Sequence, residues 1–406
     1  MARSVRWSFL SAVVGVMAGL AAALFLILLQ WATEVREQHH GIIWFLPIAG
    51  LAIGLIYHHL GRDIATGNNL ILDEIHDPKK TVPLRMAPLI LLTTILTNLF
   101  GGSAGREGAV VQTSASLADQ LSKVLHIENA ERKILLVAGM GAGFGAAIGA
   151  PWAGMVFGME VIHIGKFRLF AWFECLLASF VGYFVTIAVH VPETHYPNLQ
   201  NMIYDPKTVL TVLFFGCLCG LTARGFAKLT HTVENVLARV IPWPPLKPML
   251  AGLFLVVLYK LEGSYLYAGL GIPTIQNALS QPVAWHVPLF KGFFTALTVG
   301  SGFKGGEFIP LVFIGTTLGS ALSLLFQVST TLLAALGFAA VFAGAANTPI
   351  TCTLMAMELF GPQIGGYALL ACFGSYYFSG HNGIYKSQRV SERKHHRFSS
   401  NSAQRT

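Results

Sequence analysis

The sequence predicts an all-α polytopic membrane protein whose tilted and broken helices form two halves that repeat one another. Three observations point there. Apolar runs recur along the chain, charged residues are scarce, and three blocks of residues return in the same order about 200 positions later.

Of the 406 residues, 54% are hydrophobic and 11% charged, whereas an ordinary soluble domain has about 25% charged residues. A helix needs about 20 mostly apolar residues to cross a bilayer. The runs 8–31, 41–60, 86–101, 169–190, 207–222, 249–260 and 363–379 meet or approach that length, and others are shorter and broken by Gly or Pro. A soluble fold has no interior large enough for that surface. The net charge of +8 raises nucleic acid as a partner, but the basic residues flank apolar runs. Arg3 and Arg6 precede the first run; Lys386, Arg389, Arg393, Lys394, Arg397 and Arg405 follow the last. Basic flanks mark the cytoplasmic side, so both termini are expected inside, and no nucleic acid is expected. The run from Phe9 to Trp31 is too long for a signal peptide and is expected to be a retained span.

Cys175, Cys217, Cys219, Cys352 and Cys372 lie in apolar runs with no disulfide or zinc spacing, which suits small buried hydrophobes. The fourteen His are scattered, and no metal or cofactor is expected. The polar, basic segment 386–406 is expected to be a disordered cytoplasmic tail.

The repeat sets the organisation. Gly67 and Pro78 bound a segment matched by Gly271 and Pro282, both offset by 204. Gly102 to Ala109 is echoed by Gly302 to Ile309, with Glu107 and Glu307 offset by 200. Pro151 and Glu160 face Pro349 and Glu358, offset by 198. These offsets divide the chain into a first half, 1–205, a second half, 206–385, and the tail. The loop after Pro78 carries Lys79, Lys80 and Arg85, while Pro282 to Pro288 has no Lys or Arg. The positive-inside rule then puts equivalent loops on opposite sides, an inverted-topology repeat of the kind found in transporters. A parallel repeat is the competing arrangement.

The Gly-rich loops Gly101–Gly108 and Gly302–Gly306 each precede an apolar helix. Helix starts carry unpaired N–H groups and a partial positive charge, so two of them meeting at membrane depth would hold an anion without Lys or Arg. Alternatively, the glycines serve only close helix packing. Glu107 and Glu307 favour the first reading. A carboxylate in a bilayer costs at least about 2.5 kcal/mol, so it is functional by default. At a helix start, Glu107 is a candidate gate and proton carrier that leaves the anion site when protonated. Glu160 and Glu358 fit interfacial carboxylates near water equally well.

Here the residues match a family. Gly105-Arg106-Glu107-Gly108 resembles the GREGP motif of CLC proteins, with Ala109 for Pro. Gly306-Glu307-Phe308-Ile309-Pro310 resembles their GxFxP motif. Gly67-Asn68-Asn69-Leu70-Ile71 stands where they have GSGIP, and Tyr385 is placed like their C-terminal anion-site tyrosine. The resemblance covers residues 10 to 390 and implies a CLC-type inverted repeat. It also implies a homodimer with one pore per subunit, a bacterial-type inner membrane, and a small halide as cargo. It implies Glu107 as gating glutamate, Glu107 and Glu307 as the gating and proton-transfer pair, Glu307 and Phe308 as amide donors to the central anion, and Tyr385 as hydroxyl donor. Gly67, Asn68, Gly105, Arg106, Gly108 and Ile309 complete the anion-binding motifs.

The departures are informative. Asn68 replaces Ser, Glu307 sits inside the GxFxP motif, and Val161 stands where many chloride/proton antiporters carry a proton-relay Glu. These strings resemble the fluoride/proton antiporter branch. Fluoride export coupled to proton exchange is therefore expected, with a chloride channel or chloride/proton antiporter as the alternative. Asn68 is also a candidate helix cap, and Tyr385 a candidate interfacial anchor. HExxH and P-loop motifs are lacking in the sequence, and the intramembrane carboxylates pair by repeat symmetry, not as a catalytic dyad, so an enzyme is not expected.

Overall fold

In the computed structural model, residues 2–192, 194–200 and 204–394 are described. Sixteen α-helices run in the order α1 (Ala2–Gln38), α2 (Leu46–Leu60), α3 (Asn68–His76), α4 (Met86–Leu99), α5 (Glu107–Val124), α6 (Asn129–Ile148), α7 (Pro151–Glu160) and α8 (Trp172–Ala188), then α9 (Pro206–Val240), α10 (Leu246–Glu262), α11 (Ile272–Ser280), α12 (His286–Gly300), α13 (Phe308–Phe326), α14 (Thr330–Ala346), α15 (Pro349–Phe360) and α16 (Gly365–Ser379). Two short strands, β1 (His163–Ile164) and β2 (Arg389–Val390), pair in parallel.

The repeat is visible in this order: α3 to α8 have counterparts in α11 to α16, each similar in length to its partner. The hinges between matched helices share a mechanism. Gly149 ends α6 and Asn347 ends α14 in the left-handed conformation, and Pro151 and Pro349 then start the next helices. A left-handed residue satisfies the last helical carbonyls, and Pro at a helix start gives up an N–H that has no partner there.

Helices of the core pack through small residues. A Cβ on Gly315 of α13 or Gly337 of α14 would collide with the other's carbonyl, which brings these helices into backbone contact. Every residue of α14 from Leu332 to Ala346 is buried. On the periphery, Leu20, Leu24 and Trp31 of α1 and Leu210, Phe214 and Leu221 of α9 are exposed, a rim suited to lipid. Four stretches among the described residues are long and apolar enough to cross a membrane: Ser4–Gln38, His40–Leu60, Pro206–Val240 and Phe308–Phe326. Of the other helices, α5 and α6 reach 18 and 20 residues with a less apolar sequence, and the rest are shorter pieces of the kind that buried, broken spans provide.

The expectation of a disordered tail is corrected for residues 386–394. Gln388 donates through Nε2 to the carbonyls of Val161 and Ala346, both at 2.8 Å, and accepts at Oε1 from Asn347 Nδ2. Lys394 places its ammonium on the Tyr376 and Gly380 carbonyls at the end of α16 and against the Tyr376 ring. Basic side chains here satisfy orphan carbonyls at helix ends, so they order the chain instead of solvating it. Arg397, Arg405 and the rest of 395–406 lie outside the described residues.

Candidate functional site

The two Gly-rich loops meet. Gly105 N donates to Gly306 O at 2.6 Å and Gly306 N to Gly105 O at 2.8 Å, an antiparallel bridge joining the starts of α5 and α13. Only glycine permits this approach, since a Cβ on Gly306 would lie 2.8 Å from Gly108 N. Helix starts are thereby held end to end with their first amides turned to one place.

Beside the bridge lies a chamber of about 30 Å³. One water needs roughly 10–15 Å³, so the chamber admits a water-sized species. Asn68, Glu107, Gly108, Glu307, Phe308 and Tyr385 all line it. Phe144, Phe157 and Phe342 complete the wall with Phe308. Phe144 stacks on Phe157 at 4.0 Å, and Phe308 meets Phe342 edge-on at 4.7 Å. Phe144 and Phe342 belong to none of the sequence motifs, and Phe157 lies within the third repeat block without being singled out there.

Two larger spaces adjoin the chamber. A vestibule of about 590 Å³ shares Asn68, Glu307 and Tyr385 with it. On the other side, a cavity of about 80 Å³ shares Glu107 and Phe308. Arg106 and Ile309 face this second cavity, not the chamber, and Gly67 faces the vestibule. Glu107 therefore stands between two spaces. It is 1% exposed, and its carboxylate accepts from Arg106 N and Nε, each at 3.2 Å. Tyr196, in the segment between α8 and α9, also lines the second cavity and packs against Phe338 and Phe360. Burial, opposed by the charge of Arg106, pushes its hydroxyl up to about 12.

Asn68 does not cap α3. It is the first residue of that helix, which has no side-chain cap. Among the described residues its Oδ1 is buried without a hydrogen-bond partner. A half-turn of the amide exchanges oxygen for NH₂, so the side chain can offer the chamber an acceptor or two donors. Asn69 instead accepts from Ser387 N at 3.0 Å, which ties the segment after Tyr385 to the start of α3.

Glu160 and Glu358 are not free interfacial carboxylates. Glu160, at the end of α7, accepts from Ile350 N, Thr351 N and Thr351 Oγ1 at the start of α15. Glu358, near the end of α15, accepts from Trp152 N and Ala153 N at the start of α7. Each half caps a helix of the other.

Residues 49–380 match the family of voltage gated chloride channels. A chloride/fluoride channel protein of Pseudomonas syringae pv. tomato is 47% identical over 97% of this chain and 88% of its own length. An H(+)/Cl(-) exchange transporter of Vibrio vulnificus is 25% identical over 86% of this chain and 81% of its own. Among solved structures, a CLC-type fluoride/proton antiporter superposes with a TM-score of 0.92 at 33% identity, covering 95% of this chain and 98% of that one. By the family match over most of its length and the identity to these relatives, this chain is an integral membrane protein of the voltage gated chloride channel family.

Proposed function

We propose that this protein exports a small halide, fluoride in preference to chloride, in exchange for protons. The observation that carries the reading is the position of Glu107, a buried carboxylate at a helix start that separates the chamber from the outer cavity. An anion crossing that point has to displace it. Protonation removes its charge and its hold on the helix start, so the step that opens the path also loads a proton.

Glu107 is the gate in this scheme. Glu307, on the wall shared by chamber and vestibule, exchanges the proton on the inner side. Gly105, Arg106 and Gly108 shape the start of α5, and Phe308 and Ile309 offer first-turn amides of α13. Tyr385 supplies a hydroxyl, while Asn68, set by Gly67, supplies its amide. Fluoride is small and strongly hydrated, so it exchanges water only for a dense set of donors. The small chamber and the Asn68 amide provide those, and the CLC-type fluoride/proton antiporter of similar structure supports the same reading. Chloride, being larger, gains less there. We further propose that residues 1–205 and 206–385 are oppositely oriented halves, that both termini are cytoplasmic, and that the protein works as a homodimer with a pore in each subunit.

Reconstitution in liposomes tests the reading. Fluoride should move faster than chloride, and each fluoride should be accompanied by counter-moving protons. Glu107→Gln should abolish proton movement. A Gln variant that keeps the wild-type proton ratio would remove Glu107 from the scheme, and chloride flux equal to fluoride flux would overturn the fluoride preference.

A further inference from the structure

Glu307 has to trade its proton with the cytoplasm once per cycle, and Val161 offers no carboxylate for that trade. The vestibule contains another candidate. His231 and Glu234 lie three residues apart on α9, and both line the vestibule that reaches Glu307 and Tyr385. Together they grip the chain on either side of Tyr385. His231 Nε2 lies 3.1 Å from the Gly383 carbonyl, and Glu234 Oε2 takes the Lys386 ammonium at 2.6 Å. His231 Nδ1 faces Glu234 at 3.8 Å and, among the described residues, is buried without a hydrogen-bond partner.

This geometry fixes what a proton would do. Nε2–H donates to Gly383 O, so Nδ1 carries the lone pair in the neutral ring. A second proton on Nδ1 makes an imidazolium facing the Glu234 carboxylate. The charged groups around the ring are the Glu234 carboxylate beside Nδ1, the Lys386 ammonium that Glu234 holds, and Glu307 on the same vestibule. Lys304 lines the same vestibule. We propose that His231, held by Glu234, is the inner proton-exchange station for Glu307. The proposal rests on the proton-exchange reading above. Glu307 loses the carboxylic O–H proton to vestibule water, the half-exposed Glu234 carboxylate takes it from that water and hands it to the buried Nδ1, and the imidazolium returns it through Glu234 to bulk water or buffer. The reverse sequence reloads Glu307.

The rate problem explains why such a station matters. A diffusion-limited encounter proceeds at about 10⁹–10¹⁰ M⁻¹s⁻¹, so free hydronium at neutral pH protonates a site only on the order of 10²–10³ times per second. An ordinary imidazole changes charge between about pH 5 and 8, so it holds and gives protons where hydronium is too dilute.

The test uses the full-length protein in liposomes. His231→Gln retains a side-chain N–H for Gly383 O and cannot carry the proton. In dilute buffer its coupled fluoride and proton flux should match wild type at about pH 6 and fall at least about threefold below it at about pH 8. Concentrated imidazole should restore the flux at the higher pH. Glu234→Gln, which removes the charge facing Nδ1, should show the same pH-dependent loss. Wild-type flux from His231→Gln at both pH values overturns the proposal. So does a loss that imidazole leaves unchanged, because that marks a packing role. A wild type that moves fluoride without protons instead overturns the exchange reading, a distinct result from a coupled wild type with an indifferent His231→Gln.

Discussion

Replacing Glu160 with Ala should weaken the protein more than replacing Glu358, although the two are repeat partners. Glu160 is 5% exposed and accepts three hydrogen bonds, at 2.9, 2.7 and 2.7 Å. Glu358 is half-buried and accepts two, both at 2.9 Å, one of them from Trp152, which is 51% exposed. A hydrogen bond to a charged group contributes about 1.5–3 kcal/mol, and a buried donor left alone costs about 1–3 kcal/mol. The three bonds of Glu160 share one carboxylate and do not add, so its loss should cost about 3–5 kcal/mol, the range for a buried charged contact broken on one side. Glu358→Ala should cost about 1–2 kcal/mol, the range of an ordinary helix cap, because its carboxylate is only half-buried and accepts one bond fewer. At about 1–2 °C per kcal/mol for a chain of 406 residues, Tm should fall by about 3–10 °C for Glu160→Ala and about 1–4 °C for Glu358→Ala. Glu160→Gln keeps one acceptor oxygen and should fall between wild type and Glu160→Ala. Thermal unfolding of each variant in one detergent, followed by far-UV circular dichroism, measures the order. Equal shifts, or a larger loss for Glu358→Ala, would refute the idea that the reciprocal caps hold the halves together.

Two further outcomes can be checked directly. Gly306→Ala forces a Cβ to within 2.8 Å of Gly108 N, where only backbone can yield. Misplacement of reacting groups by about 1 Å can cost about a hundredfold in rate, so halide flux should drop at least tenfold while the protein still folds; wild-type flux would show the bridge to be dispensable. His163 of β1 lies 3.1 Å from Ser391 Oγ, and burial followed by the charges of Arg168, Arg389 and Lys166 holds its imidazole below the usual range. Because the paired state prefers the neutral ring, its contribution is present above the ordinary histidine value of about 6.5 and is lost as pH falls through the lowered one. Hydrogen exchange at residues 389–392, corrected for intrinsic rate, should quicken at acid pH in the wild type and lose that dependence in His163→Gln; identical profiles would refute the assignment.

The helix starts of the site were legible because their signal is local. Gly105 and Gly306 mark where backbone must approach backbone, and Glu107 and Glu307 are conspicuous carboxylates in apolar surroundings. The aromatic wall was not legible. Phe144, Phe157 and Phe342 come from α6, α7 and α14, in Gly- and Ala-rich runs without distinctive spacing, and only the crossing of those helices brings the rings together. Glu160 and Glu358 were visible as a pair, but their partners are backbone amides of the opposite half, which no side-chain pattern announces. The segment 386–394 looked like a solvated tail for a related reason. Its binding partners are the carbonyl ends of α14 and α16, and a sequence does not show where those ends point.

The reciprocal caps also bear on where an anion can rest. Four helices, α5, α7, α13 and α15, begin inside the protein, and each start is an attractive well for negative charge. Glu358 and Glu160 are permanent residents of the wells at α7 and α15. The starts that line the chamber are those of α5 and α13, together with Asn68 at the start of α3. Of these, the start of α5 carries Glu107, which leaves it on protonation in the proposed scheme. Two of the four inner helix starts thus carry a carboxylate from the opposite half, and in the proposed scheme the start of α5 is vacated only when Glu107 takes up a proton.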